Sequence, residues 1–345
     1  MTQKKPRSGI ARWLPLAFFV LGMGLFAGVV SQLDVHALLA HMKQAGWMLL
    51  PAYLAFFCNL ACSTAAWYQT IESSTRPSFW RLFTTFWAGT AVNGITPGGA
   101  GGELLKGSLL AESTGKDEAI TSLVVYNYLT AISVLGFTVL GPVPALLFLD
   151  LPRAVLLGLF GVTACFGVAL LGVRYVLRKG LAGRVLGLAA RLPFVRMQDL
   201  DKKRARAEQV DARVWDYRKR RPRAFRRMLL FAFLVRVFMV LELWCFYLAL
   251  MPERTPYWLF VFALLTQSAS QIIGWIGVLV PGCAGVMESG VAGVFALLGL
   301  DPTLGMSTEL LRRVRKLTAI GIGLLIGSAL GARREAIEVS EVADE

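Results

Sequence analysis

Runs of apolar residues as long as a bilayer is thick constrain this chain more than any other feature. Leu14–Leu33 holds 20 residues without a charge, and a helix needs about 20 to cross the hydrocarbon core. Similar runs lie at Trp47–Ile71, Ala119–Gly141, Ala154–Leu177, Met228–Leu250 and Leu317–Gly331. Apolar and aromatic residues make up 56% of the 345 positions and charged residues only 17%, against about 25% in soluble domains. Intrinsic disorder is excluded, because it needs low hydrophobicity. A soluble enzyme is excluded too, because no core of this size hides so much apolar surface. The expected fold class is an all-α polytopic membrane protein with about six full spans.

Charge places the chain in the membrane. The net charge is +14, from 36 Lys and Arg against 22 Asp and Glu. Residues 178–227 carry 17 basic and 5 acidic side chains, and Lys4, Lys5, Arg7 and Arg12 add four more positive charges. Basic segments beside spans mark the cytoplasmic side. No aromatic-rich or helix-turn-helix pattern accompanies them, so nucleic acid is not an expected partner. The predicted organisation is a basic cytoplasmic N-terminus (1–12), a first transmembrane half (13–177), a basic cytoplasmic loop (178–227), a second half (228–332) and an acidic cytoplasmic tail (333–345). The first span reads as an uncleaved helix rather than a signal peptide, since no small-residue cleavage site follows it. Within the loop, Leu181, Val185, Leu188 and Leu192 share one helix face, which predicts a helix on the membrane surface. The tail from Glu335 is expected to be disordered.

Two segments break the pattern of plain spans. In the first, 79–112, the apolar part Leu82–Ile95 is too short to cross and ends at Thr96-Pro97-Gly98-Gly99-Ala100-Gly101-Gly102. A second short helix is expected to start at Glu103. The second, 257–300, breaks at Val280-Pro281-Gly282-Cys283-Ala284-Gly285, with Glu288 just beyond; here Trp258–Val280 is long enough to span by itself. Pro-Gly-x-Ala-Gly thus occurs at 97–101 and again at 281–285. Pro97, Pro281, Gly282 and Gly285 are the expected break positions. Lipid cannot satisfy the backbone groups a break frees, so each break must face protein or water. The helix that restarts beyond it presents free N–H groups suited to an anion. Paired broken segments in two halves point to a transporter site. With the N-terminus inside, the first break enters from the cytoplasm and the second from outside, which makes the halves inverted repeats with two re-entrant hairpins. Ordinary loop chemistry is the competing reading.

Charges inside apolar segments cost about 2.5–3.5 kcal/mol each on insertion scales, so each one requires a reason. Glu103 and Lys106, three apart behind the first break, either line a site or form a local ion pair. Glu242 and Glu288 either serve a site or are structural carboxylates. Arg236 either faces the interior or snorkels toward the surface, two turns from Arg227. Arg312, Arg313, Arg315 and Lys316 precede the last apolar run and Arg333 and Arg334 follow it, so one end of that span defies the positive-inside trend. The cluster is either an interfacial anchor or a cavity lining that grips an anionic headgroup through paired guanidinium bonds. Asn93, Gln267, Ser270 and Gln271 add polarity near the breaks, as do Tyr126, Asn127 and Thr130 on the span after the first. The candidate headgroup residues are Asn93, Gly98, Gly99, Gly101, Gly102, Glu103, Lys106, Gln271, Glu288, Arg312, Arg313 and Arg315, with Arg236 and Glu242 as intramembrane charges. No catalytic residue, metal site or cofactor is expected. The five cysteines form no CxxC, and His36 and His41 lack zinc-ligand spacing.

The run Asn93-Gly94-Ile95-Thr96-Pro97-Gly98-Gly99-Ala100-Gly101-Gly102-Glu103, with Lys106 a turn later, resembles the first signature of the lysylphosphatidylglycerol synthase transmembrane family, the flippase-like domain family of bacteria and archaea. Val280-Pro281-Gly282-Cys283-Ala284-Gly285-Val286-Met287-Glu288 resembles its second, with Cys283 where a small residue, usually Gly, is expected. Arg312–Lys316 is similar to its closing basic helix. The resemblance extends over about residues 10–332. It implies a multi-pass protein of the bacterial inner membrane that moves lipids between leaflets, with membrane lipids and a separate lipid-synthesising enzyme as partners. The synthase domain attached in the best-known members is not expected here, because the largest loop holds only 50 residues.

The leading function is therefore a flippase for an anionic, aminoacylated or glycosylated lipid. A membrane-bound lipid-modifying transferase is the alternative, weakened by the lack of a Gly-rich nucleotide loop or a Mg²⁺-binding aspartate cluster. A solute permease or an accessory protein of an envelope-lipid pathway is the third possibility.

Overall fold

The computed structural model describes residues 43–96, 100–149, 212–276, 283 and 285–343, with single helical positions between 155 and 168, and the backbone alone beyond 330. The expected spans Leu14–Leu33 and Ala154–Leu177 and the surface helix at 181–192 lie outside these residues, apart from the single positions. So do Pro97, Gly98, Gly99, Pro281 and Gly282.

The described residues are helical and contain no strand. After a 3₁₀ turn at Gly46–Met48 come α1 (Leu49–Thr70), α2 (Phe79–Ile95), α3 (Ala100–Thr114), α4 (Lys116–Leu140) and α5 (Val143–Phe148). Then follow α6 (Pro222–Leu250), α7 (Pro256–Ile276), α8 (Val286–Leu297) and α9 (Pro302–Ala343). Local chemistry sets the starts. Ser78 Oγ accepts from the Arg81 N–H at the head of α2, and Pro222 opens α6, where a missing N–H costs nothing. Asp301 accepts from the Thr303 N–H at the head of α9. Gly115, at φ 84°, turns the chain from α3 into α4.

Four helical stretches are long and apolar enough to cross a membrane: Lys43–Thr70, Lys116–Phe148, Pro222–Leu250 and Pro256–Trp275. Three coincide with expected spans, and the fourth gives the second broken segment a full-length first arm. In the first two, only 22% of the apolar window is buried by protein. The remainder, including Leu50, Leu54 and Leu140, faces outward. Such a surface is stable in lipid and not in water.

Two expectations need correction. The helix after the first break begins at Ala100, three residues before Glu103, so Gly101 and Gly102 lie within α3. They are glycines because the residues of and just beyond α2 leave no room for a side chain. A Cβ on Gly102 would fall 1.8 Å from the Gly89 carbonyl oxygen, the close approach that small residues permit in membranes. The acidic tail is also helical, since α9 runs on to Ala343. Its Ala, Arg and Glu are strong helix formers.

The packing repeats itself. α1 meets α2 as α6 meets α7, α2 meets α3 as α7 meets α8, α3 meets α4 as α8 meets α9, and α1 meets α4 as α6 meets α9. α1 and α6 pack extensively on each other, and α9 packs along both α2 and α8. Each half has its own aromatic core. Trp67, Phe86 and Tyr126 join α1, α2 and α4, with ring centroids 5.8–6.4 Å apart. Tyr247, Phe262 and Phe295 join α6, α7 and α8 at 5.0–6.0 Å. Such contacts add about 0.5–1.5 kcal/mol per pair beyond burial. The result is two helix–hairpin–helix units, each with a broken segment inside.

Candidate functional site

At the first break, the start of α3 places Glu103 in the first helical turn, where the helix dipole favours an anion. Its Oε1 accepts from Lys106 Nζ at 2.8 Å and from Asn93 Nδ2 at 2.9 Å. Its Oε2 accepts from Asn127 Nδ2 of α4 at 2.8 Å. Lys106 is 4% exposed, and its Nζ lies 4.3 Å from the centre of the Phe86 ring. The pair is therefore local, as one of the two sequence readings had it, yet the Glu103 side chain keeps 30% of its surface open. Asn93 Oδ1 is buried and has no hydrogen-bond partner.

At the second break the backbone turns through two left-handed residues, Cys283 at φ 54° and Gly285 at φ 77°. Cys283 is the only non-glycine residue at positive φ among the described residues. An L-residue pays about 1–2 kcal/mol for that conformation, a cost that glycine avoids. Glu288, at the head of α8, accepts from the Gly285 N–H at 2.9 Å through Oε2. Its Oε1 pairs with the Arg313 guanidinium of α9.

The basic stretch of α9 supplies the rest. Arg312 donates to Glu309 Oε1 at 2.7 Å and reaches Gln267 Oε1 of α7 at 3.4 Å. Arg315 donates from Nε to Glu242 Oε1 of α6 at 2.7 Å, and its guanidinium lies 4.5 Å from the centre of the Phe56 ring on α1. One helix thus ties its arginines to α6, α7 and α8. Lys316 differs. It lies within electrostatic reach of Cys283 and of Arg312, Arg313 and Arg315. Its stem passes near Gly94, one residue before the end of α2. No carboxylate among the described residues pairs with it, so four cations face three glutamates. The cluster holds one more basic side chain than carboxylates, and that side chain lies near Gly94 and Cys283.

The structure therefore gathers Glu242, Glu288, Arg312, Arg313 and Arg315 around α9, and Asn93, Glu103 and Lys106 around α3. Gln271 sits half-buried one turn beyond Gln267 and joins none of these bonds. Arg236 does not snorkel; it is 7% exposed in the interior of α6. Glu309 was missed by sequence reasoning, although its spacing of three from Arg312 is the signal for an ion pair on one helix face. Phe56 gave no signal, because a ring under a guanidinium looks like any core aromatic.

A family model for the lysylphosphatidylglycerol synthase TM region matches residues 12–323. The chain belongs to this family. Membership makes it a multi-pass membrane protein of a lipid-related group, and the matched range takes in both broken segments and the basic helix. No curated protein and no solved structure matched the chain.

Proposed function

We propose that the protein is a lipid flippase of the bacterial inner membrane that moves an anionic lipid headgroup, including aminoacylated or glycosylated forms, between leaflets. The two halves insert in opposite directions, with both termini cytoplasmic, and the headgroup crosses between the breaks while the acyl chains stay in lipid. A lipid-synthesising enzyme in the same membrane supplies the substrate.

The observation that carries this reading is Lys316, the basic side chain of the cluster with no carboxylate partner among the described residues. Arg312, Arg313 and Arg315 are engaged with glutamates, which fixes and neutralises them and leaves Lys316 as the basic group still open to an anion. A phosphate diester brings that anion. Glu103 and Lys106 then serve the first gate, and Glu288 with Arg313 the second.

The test is reconstitution into vesicles with fluorescent lipids and dithionite quenching from outside. The reading expects the protected inner-leaflet signal to fall faster with the protein than in empty vesicles for at least one anionic or aminoacylated lipid. Equal protection for every such lipid contradicts it. Lipid chemically altered by membranes containing the protein would favour the transferase alternative.

A further inference from the structure

Arg236 lies outside both gates. It is buried within α6, its Nη1 meets Met239 Sδ at 3.4 Å, and its buried Nε has no hydrogen-bond partner. No carboxylate among the described residues pairs with it. The apolar runs outside them, Leu14–Leu33 and Ala154–Leu177, contain no Asp or Glu. A guanidinium held this way is costly unless something neutralises it.

Its surroundings are polar and fixed. Asn59 of α1 donates to the Val235 carbonyl at 3.0 Å, and Ser133 of α4 to the Ala232 carbonyl at 3.2 Å. These bonds hold α6 on either side of the arginine. The buried Tyr126 of α4 lies within electrostatic reach of both Arg236 and Glu103. Thr130, one turn along α4, keeps its buried Oγ1 beside the Tyr126 hydroxyl. Along α6, Glu242 and its partner Arg315 follow six residues later, a rise of about 9 Å. Polar groups therefore run from Glu103 through Tyr126 to Arg236, and on to the α9 cluster.

We infer that Arg236, with Tyr126 and Thr130, forms a second anion-binding station, inside the packing of α1, α4 and α6, that takes a phosphate oxyanion between the first break and α9. The guanidinium supplies the charge and an unused N–H, and the Tyr126–Thr130 hydroxyl pair has one O–H left to donate to a further oxygen. This deepens the flippase reading and rests on it only for the lipid origin of the phosphate.

The test uses the full chain with its native cysteines replaced by Ala and Thr130→Cys introduced. Modification rates are compared for a sulfonate-bearing, a neutral and a trimethylammonium-bearing methanethiosulfonate. The sulfonate reagent is expected to react about tenfold faster relative to the cationic one with Arg236 present than in Arg236→Gln. Arg236→Lys should keep the preference, and an unchanged rate with the neutral reagent shows that the variants are folded. Dihexanoyl phosphatidylglycerol should slow the sulfonate reaction. Slowing by inorganic phosphate as well marks a general phosphate site, and slowing by the lipid alone marks a headgroup site. A charge preference unchanged in Arg236→Gln, protection by neither ligand, or a cysteine that no reagent reaches overturns the station. Protection that persists in a protein that moves no lipid removes the flippase reading and leaves the station standing. Lost protection with lipid movement intact removes only the station.

Discussion

The two breaks solve the same problem with different partners. Glu103 is satisfied within the first half, by a lysine one turn away and by Asn93 and Asn127 on the flanking helices. Glu288 bonds its own backbone on one side and relies on Arg313 of the last helix on the other. The first carboxylate is 30% open and the second 11%. The first hairpin is thus a self-contained unit. The second holds its charge only while α9 lies against it, and α9 also packs along α2. A movement that separates α9 from the second hairpin breaks a charge pair, whereas the same movement leaves the first glutamate paired.

This contrast can be broken by substitution. The largest effect is expected for Glu288→Gln, which leaves Arg313 inside the protein without a carboxylate. Loss of one partner of a buried pair costs about 3–5 kcal/mol, read as lower thermal stability in detergent, and adding Arg313→Met should restore part of it. Glu103→Gln should cost less, about 1.5–3 kcal/mol for the lost charge assistance, because this carboxylate is the more open one and a single amide oxygen still accepts from Lys106 and Asn93. If Glu103→Gln proves the more damaging of the two, the contrast is wrong. Gly102→Ala should cost about 1–3 kcal/mol through overpacking against α2. Gly107→Ala on the same helix, where the added methyl meets only Leu123 at 3.7 Å, should be neutral or gain about 0.5–1 kcal/mol. Cys283→Gly should be a small gain, up to about 1 kcal/mol from relief of the left-handed backbone. A stability loss there would mean that the thiol contributes more than its backbone costs.

The fold was legible in the sequence wherever hydrophobic length decided it. Trp47–Ile71, Ala119–Gly141 and Met228–Leu250 became α1, α4 and α6, shortened or extended at their ends, because crossing lipid fixes a minimum run. The breaks were legible because Pro97 and Pro281 cannot continue a helix. The start of α3 was not: Gly101 and Gly102 look like loop residues until the carbonyl of Gly89 is seen pressed against them. The site was partly legible. Charges inside apolar segments stood out one by one, but which glutamate takes which arginine depends on how α9 crosses α6, α7 and α8. That crossing distinguishes Lys316, the fourth basic residue of an apparently uniform cluster, as the one without a carboxylate.

The most direct measurement of the central idea is dithionite-monitored movement of a fluorescent anionic lipid in vesicles containing the native protein, Lys316→Arg or Lys316→Met. If this side chain holds the lipid phosphate, Lys316→Met should slow movement about tenfold, with unchanged thermal stability, and Lys316→Arg should stay near native. Native rates in Lys316→Met would contradict the account.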